Sequence, residues 1–129
     1  AISEAGLTPH DIELVLAHAT STPAGDAVEA AALVRLFTPD GDHPGPLVTA
    51  PKGLTGHEFW MAGAAQVVYG LLMTGAGFVA GNRNLQEPDP AVKSLRLPPQ
   101  NVYTAPRFLL CNAAGFGGTN ACLVIRNNQ

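Results

Sequence analysis

Glu13-Leu14-Val15-Leu16-Ala17-His18-Ala19-Thr20-Ser21-Thr22-Pro23-Ala24-Gly25-Asp26 passes from an apolar run, through a hydroxyl-rich turn, to an acidic residue suited to start a helix. This reads as a buried strand over 13–18 and a turn over 20–25. A helix capped by Asp26 follows, from Ala27 to about Phe37, because Ala30, Leu33, Val34 and Phe37 recur at helical spacing. Downstream the order repeats: Leu47-Val48-Thr49-Ala50 is a second strand, Lys52 to His57 its turn, and an apolar helix runs from about Phe59 to Thr74. Phe78-Val79-Ala80 is a short strand. Residues 82–105, rich in Pro, Asn and Asp, form a long surface excursion. Two last strands, Arg107 to Asn112 and Asn120 to Arg126, flank a glycine turn and pair as a hairpin with a wide loop. Upstream, Gly6 closes the last turns of a helix, and Thr8-Pro9-His10-Asp11 starts a single new turn. Strands alternating with helices before a closing hairpin predict an α/β fold on a mixed sheet, with helices on both faces and one domain over 1–129.

Composition narrows the function. The chain has 129 residues, is 47% hydrophobic and only 13% charged, more apolar than a small free-standing domain needs, so part of its surface is expected to pack against another polypeptide. A net charge of -3 with seven scattered Lys and Arg argues against a nucleic-acid groove. Residues 59–82 carry no charge, yet Gln66, Thr74 and several glycines interrupt them. A helix buried between two layers fits this better than a membrane span. Cys111 and Cys122 lie in apolar strands and read as reduced core thiols of a cytoplasmic protein. The N-terminal residues form no signal peptide, and the start resembles the middle of a helix, as in a piece of a longer protein.

Three segments carry chemistry. His18 and His57 each end a strand-and-turn unit, on the edge of an open α/β sheet where ligands bind. Asn112-Ala113-Ala114-Gly115-Phe116-Gly117-Gly118-Thr119-Asn120 adds main-chain N–H groups able to hold a negative oxygen. Two histidines could suggest zinc, but no third ligand is spaced to close a site, so no metal is expected. His10 and His43 read as exposed bystanders.

In this order the set His18 to Asp26, Lys52-x-x-x-Gly56-His57 and Asn112-x-x-Gly115-Phe116-Gly117-Gly118-Thr119-Asn120 resembles the C-terminal half of an elongating β-ketoacyl-acyl-carrier-protein synthase. The resemblance implies the thiolase fold, two similar α/β halves in five layers, incomplete without its N-terminal half. It also implies an acyl chain loaded onto a cysteine, followed by decarboxylation of malonyl carrier protein and attack of its enolate. His18 and His57 match the two donors to the malonyl thioester oxygen. Lys52, with Glu29 as partner, matches the pair that orients His57. Thr20 and Thr22 match the residues that bond the substrate's phosphopantetheine arm, and no separate cofactor is implied. The N–H of Phe116 matches a donor of the oxyanion hole, with Gly115, Gly117 and Gly118 letting the main chain come close. The nucleophilic cysteine belongs to the N-terminal half, so this segment alone should form no acyl-enzyme. Carrier protein, acyl and malonyl thioesters, the N-terminal half and a homodimer or heterodimer partner are the implied partners. The first strand of the C-terminal half has no counterpart here.

His57 lies just before a helix N-terminus, which disfavours imidazolium, so a neutral ring with a tautomer fixed by a neighbour is expected. Three departures from the family pattern stand out. Ala19 replaces a glycine. Ala114 replaces a gating phenylalanine, which implies a wider acyl entrance. Glu58-Phe59-Trp60-Met61 replaces a small, glycine-containing run, with Trp60 and Met61 read as core packing. A non-catalytic partner subunit resembling a chain-length factor is the alternative function. A degradative thiolase fits less well, since the glycine turn carries no cysteine where thiolases place one.

Overall fold

The computed structural model describes residues 1–41 and 43–128. Four strands, β1 (Leu14–Leu16), β2 (Leu47–Thr49), β3 (Phe108–Gly115) and β4 (Thr119–Arg126), form one sheet in the order β2-β1-β3-β4. β1 is parallel to both neighbours, with Val15 opposite Val48 and Leu110, and β4 closes the edge antiparallel to β3. This is the mixed sheet expected from the sequence.

Alternation along β1 supplies two cores. Val15 and Ala17 point to one face, where Leu33 and Phe37 of α1 (Pro23–Phe37) pack. Leu14 and Leu16 point to the other, against Met73 of α3 (Ala62–Gly75) and Leu109. Burying a leucine this fully is worth about 1.5–3 kcal/mol, so β1, apolar on both sides, organises the domain. Helices therefore cover both faces as expected.

Several boundaries differ from the sequence reading. α1 begins at Pro23 behind Thr22, and Asp26 lies inside its first turn rather than capping it. Proline at the first helical position, with its angle preset and no N–H to satisfy, accounts for the earlier start. Residues 52–57 are not only a turn: α2 (Lys52–Thr55) forms before Gly56. Val79 makes only an isolated bridge to Val102, not a strand. The hairpin is tight, because β3 and β4 pair as far as Gly115 and Thr119 and leave only residues 116–118 in the turn.

The excursion over 82–105 is not confined to the surface. Leu95 is buried in the α1-side core, Arg96 bridges Leu47 in parallel, and Asn82 is buried. Asn82 Oδ1 accepts from Ala50 N–H (2.9 Å), while its Nδ2 donates to the carbonyls of Val48 (2.9 Å) and Pro98 (3.2 Å). A side chain that satisfies three backbone groups fixes the end of β2, from which the Lys52–His57 segment departs.

α3 is covered on one side only. Ala62, Ala65, Gln66, Met73 and Thr74 are buried, whereas Val68, Leu71 and Leu72 are exposed. The helix expected to lie between two layers has one layer in this chain. No helix among the described residues is long and apolar enough to cross a membrane.

Candidate functional site

β1 ends at Leu16 and delivers His18 two residues beyond its carboxyl end; β2 ends at Thr49, and α2 with Gly56 delivers His57. Gly56 takes φ +80° with ψ 179°, a conformation that side-chain-bearing residues rarely adopt, and this turns the chain out of α2 toward the site. The two imidazoles meet edge to face, with ring centroids 5.8 Å apart and planes at 90°. Two histidines 39 positions apart in sequence thus bring their rings together, as their strand-end placement predicted, with His18 half-buried and His57 exposed.

His57 has a defined tautomer. The Phe59 N–H donates to His57 Nδ1 (2.9 Å), so Nδ1 is the acceptor and the ring proton of the neutral form sits on Nε2. The expected fixing of the tautomer by a neighbour is met by the main chain of the next turn. His18 Nδ1 is buried without a hydrogen-bond partner among the described residues. Burial lowers the His18 pKa below its ordinary value of 6.5, helped by the Lys52 cation and opposed by Glu29. Neutral imidazole is favoured there.

Glu29 does not pair with Lys52. Its Oε1 accepts from His18 N–H (2.8 Å) and Asn112 Nδ2 (2.6 Å), and its Oε2 from Ala19 N–H (2.8 Å). The sole ion pair among the described residues joins the N-terminal amine to Glu4. The reason is geometric: three N–H donors, two of them backbone groups, already occupy the carboxylate. Lys52 Nζ is buried without a hydrogen-bond partner among the described residues, and burial lowers its pKa against the opposing fields of Glu29 and Glu58. Lys52 therefore acts on the pocket through its field rather than through a bond.

Asn112, whose role the sequence does not reveal, links β3 to the His18 turn through Glu29. Its signal was its place at the head of the glycine segment. Ala19, at φ +29°, and Ser21, at φ +61°, hold the hydroxyl-rich turn in conformations costly for non-glycine residues. The clamp of Glu29 on the His18 and Ala19 amides supports that turn. Thr20 and Thr22 place their hydroxyl oxygens 3.4 Å apart. Asp26 lines the adjoining groove, with Oδ1 unpartnered among the described residues.

That groove, about 940 Å³, runs from His18 and Thr20 along Val28, Ala32 and Leu36 of α1 to Ala114 and Cys122 of the hairpin. Ala114 is exposed to it, as a small residue at an entrance would be. Cys122 is exposed as well, so only Cys111 is the core thiol expected; burial pushes its pKa up to about 11. Phe116 stands at the hairpin tip, fully exposed, with Gly117 and Gly118 both at φ +84°. Gly115 ends β3 with ordinary room for a Cβ, so it meets no steric demand within this chain. The hairpin base is thus tied to the histidine site, while its tip extends away from this chain's core.

Phe59, Trp60 and Met61 are exposed rather than packed in the core. They form a 3-10 turn before α3, and the Phe59 ring lies 5.4 Å from that of His57. Apolar identity alone could not say whether the covering surface belonged to this segment. His10 and His43 are exposed as expected, and their rings touch at 5.0 Å. No group of three His, Cys, Asp or Glu side chains among the described residues is placed to hold a metal.

Residues 1–86 match the family model described as the C-terminal domain of beta-ketoacyl synthase. The chain is 38% identical to 3-oxoacyl-acyl-carrier-protein synthase 1 of Escherichia coli, over 89% of this chain and 27% of that protein. It is 37% identical to the mitochondrial 3-oxoacyl-acyl-carrier-protein synthase of Arabidopsis thaliana, over 96% of this chain and 27% of that protein. Among solved structures, the ishigamide ketosynthase/chain length factor superposes with a TM-score of 0.89 at 29% identity, covering 100% of this chain and 31% of that one. The chain thus spans between a quarter and a third of the length of these relatives.

Proposed function

The chain belongs to the β-ketoacyl synthase family, and from that premise we propose that residues 1–129 are the C-terminal part of a condensing enzyme of fatty-acid or polyketide synthesis. The reaction is decarboxylative Claisen condensation of malonyl carrier protein with an acyl thioester. The observation that carries this reading is the edge-to-face His18–His57 pair. Loss of carbon dioxide leaves an enolate whose oxygen needs hydrogen-bond donors, and two imidazole N–H groups supply them. The His57 proton on Nε2 is the donor, because Nδ1 is occupied by Phe59 N–H. In the same reading Thr20 and Thr22 hydrogen-bond the phosphopantetheine arm carried by the substrate. The Phe116 N–H, at a turn shaped by Gly117, serves the acyl thioester oxygen once the N-terminal part supplies the rest of that site.

The N-terminal part carries the nucleophilic cysteine, and the 129 residues alone do not condense. The whole enzyme works on acyl carrier protein in the cytoplasm, as a homodimer or heterodimer. Exposure of Ala114 to the groove supports an acyl entrance wider than an aromatic gate would leave. Ala114→Phe in the whole protein is expected to shift acyl-chain preference toward shorter or more flexible chains. The primary test is malonyl-carrier-protein decarboxylation by the whole protein. His18→Ala and His57→Ala should each reduce it by about 10²–10³-fold, while acyl loading survives. Unchanged decarboxylation in both variants would remove the histidines from the chemistry. The likeness to a ketosynthase/chain length factor keeps one other reading in view, a partner subunit that performs no condensation. Absence of a cysteine at the strand-to-helix elbow of the N-terminal part would favour it.

A further inference from the structure

The turn that presents His57 is under strain with little burial to offset it. Phe59 adopts φ +50°, in the left-handed region that is unfavourable for a bulky residue, and its ring is exposed. Yet the tautomer of His57 depends on that residue's N–H. Something outside the turn must hold it. The Tyr69 hydroxyl, on α3, donates to Glu58 Oε1, 11 residues earlier in sequence. On the other side of His57, Thr55 Oγ1 donates to the Gly56 carbonyl (3.1 Å). A side chain on a packed helix therefore holds the residue that lies between His57 and Phe59.

We propose that Tyr69 is a positioning residue for His57, acting as a staple through Glu58 that holds the strained Phe59 turn and so keeps the Phe59 N–H on His57 Nδ1. Glu58 also sits within electrostatic reach of Lys52, so it contributes both a bond and a field, whereas Tyr69 contributes the bond alone. That division makes the two variants distinguishable. The catalytic half of the inference rests on the role given to His57 under Proposed function; the structural half does not.

The test uses the whole protein with Tyr69→Phe, Glu58→Gln, the double variant and His57→Ala. Two activities are followed, malonyl-carrier-protein decarboxylation and acyl loading, together with the ¹⁵N chemical shifts of the His57 ring. Tyr69→Phe should slow decarboxylation about tenfold or more, leave loading unchanged, and move the His57 nitrogens from a fixed Nε2–H tautomer toward an average of both. Glu58→Gln removes the charge but keeps an oxygen that can accept from the Tyr69 hydroxyl, so it should leave the tautomer fixed, while the double variant should release it as Tyr69→Phe does. A parent-like tautomer and decarboxylation rate in Tyr69→Phe would overturn the staple. So would an equal fall in loading and decarboxylation, which marks general packing. If His57→Ala leaves decarboxylation intact, the reading of the reaction fails, and the tautomer shift still decides the staple.

Discussion

A carboxylate and a lysine next to a histidine pair invite the description of an ion pair, but the bonds run elsewhere. Glu29 accepts three N–H groups, two from the backbone of His18 and Ala19, and hydrogen bonds to a charged group are each worth about 1.5–3 kcal/mol. Glu29→Gln turns one acceptor into an unwanted donor, so it should destabilise the protein by about 2 kcal/mol and slow decarboxylation. Lys52→Met removes an ammonium that has no bonded partner among the described residues, so it should leave the melting temperature unchanged or raise it while still impairing turnover. Comparing melting curves with rates for the two variants checks this; equal destabilisation would mean the pair acts as one unit. His18 carries its own signature. Its pKa is lowered in the folded state, so the unfolded chain takes up a proton near 6.5 while the folded chain resists until lower pH. Stability is therefore full above that value and declines as pH falls below it. Melting temperatures of the parent and His18→Asn should diverge between pH 7.5 and 5.5, the parent losing more.

Elements were legible where local chemistry decides them. β1 and β2, the α1 periodicity and the pairing of the final hairpin follow from apolar runs, spacing and glycines, and the two histidines were placed together because both follow strand ends. Local signals were also misread: Thr22-Pro23 marks the start of α1 more strongly than Asp26 does, since proline's missing N–H costs nothing at a helix entrance. What could not be read are contacts between distant residues. The Asn112–Glu29 bond spans 83 positions, and the segment after Asn82 owes its course to the buried Asn82 amide and to close backbone approach. That approach makes a prediction. A Cβ at Gly81 would lie 2.5–2.7 Å from the backbone of Gln100, where nothing flexible can yield. Gly81→Ala should therefore cost about 1–3 kcal/mol by overpacking and, by shifting the Asn82 clamp on Ala50, weaken the Lys52–His57 segment. Denaturation of the two proteins side by side measures it, and a variant as stable as the parent would show that this crossing is loose.

At the scale of the molecule, the apolar residues left exposed mark where a covering surface would lie. Val68, Leu71 and Leu72 on the outer side of α3, with Phe59, Trp60 and Met61 beside His57, are all exposed in this chain. Large apolar side chains exposed in this number mark an interface, and the relatives are three to four times as long as this segment. Trp60 is the only tryptophan of the 129 residues, which makes it a reporter. In the 129 residues expressed alone, its emission should be that of a water-exposed indole, and the chain should bind a hydrophobic dye and self-associate. Supplying the N-terminal part should cover the patch, suppress dye binding, and shift the Trp60 contribution, isolated by subtracting the Trp60→Phe spectrum, toward shorter wavelength. A segment that stays monomeric, unfolds cooperatively and binds no dye would show that this surface tolerates water. A Trp60 emission unchanged by the N-terminal part would place the covering surface elsewhere, and would leave the apolar wall beside His57 open to the substrate.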